Sequence, residues 1–249
     1  MNNLITVYIT NYNYGKYLNK SIQSVISQEY KNIYLVIVDD ASSDNSKKIL
    51  KKYKNFTSIK IIYNKKKKGL IKSSNIAIRA ARGKYILRLD ADDFLKINAI
   101  KSLHNKISKN SKAKMIFPNF FWVNKNGRIS SKFLYKHKVK YILEDMPAHG
   151  ACSLIELKFL RSIGSYCEKF DRQDGYYLWL SILLRNHDVI HHKKPLFFYR
   201  KHKKNLSNDK KKILKTRLKI IDFFLKKNAS NKKILLLKTS TKKEFKKLN

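Results

Sequence analysis

The chain has 249 residues, enough for one large α/β domain or two small ones. Hydrophobic residues make up 43%, so a sizeable core can be buried and wholesale disorder is excluded. Lys and Arg number 56 against 17 Asp and Glu, a formal charge of +39. That excess suits nucleic acid, an anionic membrane surface or an anionic substrate, and equally a Lys-, Asn- and Ile-rich composition with no partner behind it.

No apolar run is long enough to span a bilayer. The first ten residues, MNNLITVYIT, have no basic region and no small-residue cleavage site, so no signal peptide is expected. Cys152 and Cys167 stand far apart without a Cys-x-x-Cys partner. They read as reduced thiols rather than a zinc site or a disulfide framework.

In chain order, residues 5–10 are apolar and β-branched, a strand. Residues 17–27 place Leu18, Ile22, Val25 and Ile26 at near-helical spacing. Residues 33–38 (IYLVIV) form a continuous apolar run ending in Asp39 and Asp40, like a strand buried on both faces. Ser43 and Asp44 offer a cap for a helix through about Tyr53. Residues 59–63 read as a third strand, 65–69 as a charged loop and 70–81 as a helix. Residues 85–89 read as a fourth strand, ending at Asp90-Ala91-Asp92-Asp93. Strands alternating with helices predict βαβ units and a mainly parallel sheet with helices on both faces. Ligands of such sheets bind at the carboxyl ends of the strands. Thr10 and Asn11, Asp39 and Asp40, and Asp90 to Asp93 should therefore surround one crevice.

The second half is less regular. Residues 115–117 and 120–123 read as strands with a turn at Asn126-Gly127. Residues 157–163 and 176–184 read as helices, and 189–191 and 196–199 as short strands. From about Asn208 a Lys-rich tail carries Ile213, Leu214, Leu218, Ile221, Phe224 and Leu225 on one stripe. That stripe suits a helix packed on the body, or a helix lying on a membrane surface.

No Gly-x-Gly-x-x-Gly follows the first strand, which disfavours a dinucleotide site; residues 69–74 (GLIKSS) lack the glycines and Gly-Lys pair of a phosphate loop. Acidic strand ends remain. A sugar nucleotide carries a diphosphate that must be neutralised as it leaves, and magnesium or manganese does so with one or two carboxylates plus phosphate oxygens. Asp90-Ala91-Asp92 suits that task, although an isolated Asp-x-Asp is usually a solvated turn.

Six segments in order make the pattern specific. Residues 7–18 (VYITNYNYGKYL), 24–44 (SVISQEYKNIYLVIVDDASSD), 69–83 with Asn75, 85–93 (YILRLDADD), 172–180 (RQDGYYLWL) and 199–207 (YRKHKKNLS) resemble the motifs of glycosyltransferase family 2, the inverting GT-A group. The resemblance covers roughly residues 4–207. It implies a GT-A type α/β fold, with residues 1–100 binding the nucleotide sugar, 101–207 binding the acceptor, and 208–249 forming a basic helical tail.

The resemblance also implies roles. Thr10, Asn11 and Tyr12 would line the nucleoside pocket; otherwise they are a polar strand-to-helix loop. Asp39 and Asp40 would contact base or ribose; otherwise they cap the next helix. Asp90 would hold ribose or metal-bound water, and Asp92 the Mn2+ or Mg2+ ion. Asp93 would serve the site or cap the next helix. Asn75 and Arg79 share one side of a helix on the donor side. His202 would reach metal or diphosphate, with Arg200 nearby.

The acceptor hydroxyl must lose a proton as it attacks, and a carboxylate within hydrogen-bond reach is the obvious base. The resemblance puts Asp174 in that role, before the Tyr-Leu-Trp stretch, with a helix N-cap as its alternative. Gln173 stands where the family commonly has a Glu, and Asp171, Glu144 and Asp145 are nearby carboxylates. One in-line displacement with inversion is implied.

The expected partners are a nucleotide-sugar donor, a glycan or lipid-linked acceptor and an anionic membrane surface, with no nucleic acid. The expected setting is the cytoplasm, at the inner face of the membrane. Two other classes compete. A nucleic-acid-binding module would explain the charge, but no RRM, KH or helix-turn-helix pattern appears. A nucleotidyltransferase would show a Gly-rich basic loop after the first strand, which residues 10–15 (TNYNYG) lack.

Overall fold

The computed structural model describes residues 3–134, 150–203 and 205–248. Four parallel strands, β1 (Ile5–Asn11), β2 (Ile33–Asp39), β3 (Ile59–Tyr63) and β4 (Tyr85–Asp90), alternate with α1 (Gly15–Ile26), α2 (Ser46–Lys51) and α3 (Leu70–Ala80). They stand in the order β3-β2-β1-β4. The apolar runs of β1, β2 and β4 are buried on both faces, as parallel strands covered by helices require, while edge strand β3 is buried only at Ile59.

Alternation along these strands splits the core. Tyr8, Val36, Val38 and Ile86 face the side covered by α3 and by the later helices. Val7, Ile9, Leu35, Ile37 and Leu87 face the side covered by α1, α2 and α4 (Ala99–Ile107). Period-two side-chain direction is the whole reason.

Beyond β4 the sheet turns antiparallel and mixed: β8 (Leu154–Glu156) pairs with β4, then β6 (Ala113–Val123), β9 (Asp188–Arg200) and β5 (Phe94–Leu95) follow, with β7 (Ile129–Phe133) paired to β6. β5 starts almost directly after β4 in sequence yet pairs with β9 at the other end of the sheet, Phe94 opposite Phe198. The sheet therefore curls back on itself, and the end of β9 is brought to the end of β4.

Several boundaries differ from expectation. The two short strands at 115–123 are one strand, β6, and those at 189–199 are one strand, β9. Pro118 has no N–H to donate, and the register slips there, pairing Pro118 with His192 and Asn119 with Pro195. The Asn119 side-chain amide donates to the Lys193 carbonyl at 2.6 Å and bridges the slip. The β6–β7 turn falls at Gly127, whose φ of +84° is left-handed and suits glycine. The Asp44 carboxylate does not cap a helix reaching Tyr53. It accepts from Ser46 N and from Gly15 N, tying α1 to the short α2.

Two further helices, α5 (Leu157–Ser162) and α6 (Asp174–Leu183), lie on the first core face. The tail is two helices, α7 (Lys210–Lys227) and α8 (Lys232–Lys246), not one. Leu214, Ile220, Ile221 and Phe224 of α7 are buried, and most of them join the same core face as Trp179. The stripe thus packs on the body. Both cysteines are free.

Candidate active site

Parallel register aligns the first polar residues. Asn11 pairs with Asp39 across β1–β2, and Thr10 pairs with Asp90 across β1–β4. Asn11 Nδ2 donates to Asp39 Oδ1 at 2.7 Å and to Ser42 Oγ at 3.1 Å. Asp40 accepts from Asn64 Nδ2, Lys68 N and Gly69 N at 2.7–2.8 Å, so its carboxylate anchors the loop before α3. Tyr12 is exposed, with the Lys67 ammonium 3.9 Å from its ring centre.

After Asp90 the chain turns through Ala91, Asp92 and Asp93 into β5. Asp93 N donates to the Asp90 carbonyl at 3.0 Å. Asp93 caps no helix: its buried carboxylate accepts from Arg200 N at 2.8 Å. Arg200 is also buried, donating from Nε to the Asp92 carbonyl at 2.7 Å and from Nη1 to the carbonyls of Asn124 and Lys125. Its guanidinium lies 4.5 Å from the Tyr17 ring centre. Arg200 thus clamps the acidic turn. His202 Nε2 stands 2.7 Å from Asp92 Oδ2, and its ring stacks on Tyr17 at 5.7 Å between centres.

Asp174 is the first residue of α6, after Gln173 in a left-handed conformation (φ +62°). It meets the parallel half of the sheet through Arg88. Arg88 Nη1 contacts Asp174 Oδ2, and Arg88 Nε lies 3.0 Å from Asp90 Oδ1. Arg88 and Asp174 side chains are 6% and 5% exposed and that of Asp90 27%, so the Asp–Arg–Asp bridge between the halves is buried at its Asp174 end and reaches the pocket at Asp90. Space around it is tight: a Cβ on Gly150 would come within 2.9 Å of Asp174 Oδ2.

Thr10, Tyr14, Arg88, Asp90, Asp92 and Asp174 line one pocket, together with Arg172 and Tyr199. Burial pushes Asp90 up to about 6; Arg88 opposes that shift and the charges of Asp92 and Asp174 add to it. Burial, then Asp92 and Asp90, hold Asp93 well above the usual carboxylate range. Excess negative charge is therefore concentrated at this end of the sheet. Asp92 and His202 carry the atoms that could bind a divalent ion; among the described residues no three His, Cys, Asp or Glu side chains form a full cage.

Asn75 and Arg79 are not brought to this pocket. Asn75 exchanges hydrogen bonds with Tyr166 N and O, clipping the loop after α5, and exposed Arg79 borders the same outer depression. Asp171 is an exposed carboxylate paired with Lys212 at 3.1 Å. Glu144 and Asp145 lie outside the described residues. Arg88, Arg172 and Tyr14 were not anticipated. The signal for Arg88 was a charged residue inside the apolar strand YILRLD.

Comparison with known proteins adds the lineage. Over 225 residues the chain is 29% identical to the Escherichia coli UDP-Glc:alpha-D-GlcNAc-diphosphoundecaprenol beta-1,3-glucosyltransferase WfgD, covering 89% of this chain and 87% of that protein. It is 32% identical over 122 residues to the glycosyltransferase GlyG of Streptococcus pneumoniae serotype 4, covering 49% of this chain but only 40% of GlyG. The crystal structure of S. aureus TarS 1–349 superposes with a TM-score of 0.74 at 18% identity, over 99% of this chain and 73% of that one. The mannosyltransferase PcManGT from Pyrobaculum calidifontis, in complex with GDP-Man and Mn2+, gives 0.67 at 14%, over 91% and 65%. The likeness to these structures establishes a GT-A fold. Residues 6–164 match the family Glycosyl transferase family 2, well over half of the chain, and the chain belongs to that family and is a glycosyltransferase.

Proposed function

We propose that the protein transfers a sugar from a nucleotide-diphosphate donor to a hydroxyl of a lipid-linked glycan, with inversion and with help from Mn2+ or Mg2+. The observation that carries this reading is the pocket in which strand-end Asp90 and Asp92 meet Asp174 through buried Arg88.

Thr10, Asn11 and Tyr12 with Asp39 and Asp40 bind the nucleoside at the ends of β1 and β2. Asp90 faces the ribose. Asp92 and His202 are the metal ligands; two protein ligands completed by phosphate oxygens and water is the usual arrangement for these ions. Burial, with the neighbouring carboxylates adding to it, raises the proton affinity of Asp90 and Asp93, and a cation held beside them would favour their ionised forms. When bound, the ion neutralises charge building on the departing diphosphate. Asp174 takes the acceptor proton as the oxygen attacks the anomeric carbon and the bond to the diphosphate breaks. Arg88 holds Asp174 in place, and Arg200 holds the acidic turn rigid. No covalent sugar–enzyme intermediate forms.

A lipid-linked acceptor is supported by the similarity to WfgD, a glucosyltransferase named for a diphosphoundecaprenol-linked sugar. Among the described residues no helix is long and apolar enough to cross a membrane. Attachment at the inner face then rests on the lysine-rich surface, each Lys near anionic lipid contributing about 1 kcal/mol. The family and the pocket favour this over a nucleic-acid-binding role or nucleotidyl transfer.

The direct test is a panel of UDP-, GDP- and dTDP-sugars with manganese, scored for slow donor hydrolysis and for protection against heat. One donor should stand out in both readouts. No response to any donor, with tight salt-sensitive binding to DNA instead, would overturn the assignment.

A further inference from the structure

One cation in the pocket has no role in the scheme above. Arg172 lines it beside Asp174, with its side chain only 11% exposed. Its Nε and Nη1 are buried and find no hydrogen-bond acceptor among the described residues; the nearest carboxylate oxygen, on Asp171, is 3.7 Å from Nε. Asp171 already pairs with Lys212 at 3.1 Å. Buried guanidinium donors are costly to leave unmade, and a guanidinium fork matches phosphate oxygens.

The surface next to Arg172 has the same sign. Phe170 and Asp171 on one wall and the first turns of α7 on the other line a second groove, whose Asp171 and Lys212 are the chain neighbours of Arg172 and Ile213. The pocket takes Arg172 and Ile213 from these same two segments. Lys211, Lys215 and Lys219 recur every four residues, so they form one row along α7. All three are exposed, and like charges so placed repel one another unless an anion lies between them. The two carboxylates of the groove are engaged: Asp171 with Lys212, and Asp209 as the cap on Lys212 N at 2.9 Å.

We propose that Arg172 and the Lys211–Lys215–Lys219 row bind the phosphates of a lipid-diphosphate acceptor, holding its sugar hydroxyl at Asp174. This rests on the glycosyl-transfer reading and specifies its acceptor as anionic next to the accepting sugar. The donor diphosphate is assigned to Asp92 and His202, and Asp92 lines the same pocket. Arg172 sits beside Asp174, two residues away in the chain. The acceptor's diphosphate is not cleaved in this scheme. Its charge is used for binding only.

The test is calorimetry on the full chain with geranyl diphosphate as lipid-diphosphate probe, and with UDP and inorganic pyrophosphate as controls. Arg172→Ala should weaken geranyl diphosphate about ten- to a hundredfold, the range of one or two charge-assisted hydrogen bonds, and leave UDP unchanged. Arg172→Lys should recover part of the loss. Changing the three lysines of the row to Gln should weaken the same probe and flatten its salt dependence. Equal loss of UDP and geranyl diphosphate in Arg172→Ala would make Arg172 a donor residue and overturn the proposal. So would unchanged geranyl diphosphate binding in a variant whose circular dichroism matches wild type. Pyrophosphate binding as tightly as the lipid probe would reject a lipid source. If wild type binds no UDP, the donor reading fails instead, while the geranyl diphosphate comparison is still read independently.

Discussion

The parallel half of the sheet and the mixed half solve different problems. Over residues 5–90 each parallel strand is an apolar run that ends in polar residues, and the in-step register of β1, β2 and β4 collects Asn11, Asp39 and Asp90 at one edge. Contacts there are made between neighbours in the strand order. The mixed half is assembled at long range: Arg200 and His202 reach Asp93 and Asp92 across more than a hundred residues of chain. The first half concentrates carboxylates, and the second contacts them through the Arg200 backbone N–H and the His202 ring. Arg88 is the exception, a β4 cation committed to Asp174 of α6. In the scheme proposed above, such a site binds nucleotide with one half and does proton chemistry with the other.

The sharpest way to break that division is Asp174→Asn. Loss of a general base costs about 10²–10⁴ in rate. Transfer should collapse while nucleotide affinity, measured by calorimetry, stays near wild type. Asp171→Asn should change transfer little, because the exposed Asp171 carboxylate does not line the pocket that holds Asp174. A dead Asp171 variant beside an active Asp174 variant would reverse the two roles.

Asp92→Asn tests the donor side alone. Manganese-dependent tightening of donor binding should disappear, while the thermal midpoint remains close to wild type. A variant that transfers normally at low manganese would remove Asp92 from the ion.

Phe224→Ala asks whether α7 belongs to the acceptor half or merely lies against it. Phe224 is 7% exposed among the residues of the first core face, so truncation should cost about 3 kcal/mol in chemical unfolding. Leu236→Ala on α8, where the side chain is 61% exposed, should stay within about 0.5 kcal/mol. Equal and small effects would mean that the tail is not part of the cooperative unit.

The smallest expected effect is on membrane attachment. Binding to anionic vesicles should fade between low and physiological salt as screening shortens to about 8 Å. Equal binding to neutral vesicles would place the attraction in apolar contacts such as exposed Leu235 and Leu236 rather than in charge.

Where sequence reading succeeded, periodicity was strong and contacts were local. The four parallel strands were legible because each is a β-branched run bounded by a polar end. It faltered at β6 and β9, because Pro118 and the Lys193-Lys194 pair look like strand ends. Only a partner strand with its own register slip, and the Asn119 side chain spanning it, can continue the sheet through them. In the tail, the pattern is one amphipathic stretch, and whether its stripe meets protein or membrane depends on apolar surface offered by α6, far away in sequence.

The sequence by itself determined the parallel α/β half, the acidic strand ends and the placement of Asp174 at the start of a helix, because these follow from hydrophobic period and local chemistry. Tertiary structure decided which polar groups meet. It sent Asn75 to the loop after α5, spent Arg200 on backbone carbonyls, joined Arg88 to Asp174 and left Arg172 without a hydrogen-bond acceptor among the described residues. Pairings of that kind depend on how the sheet curls to bring β9 beside β5. No local pattern encodes that curl, because it arises from contacts between segments far apart in the chain.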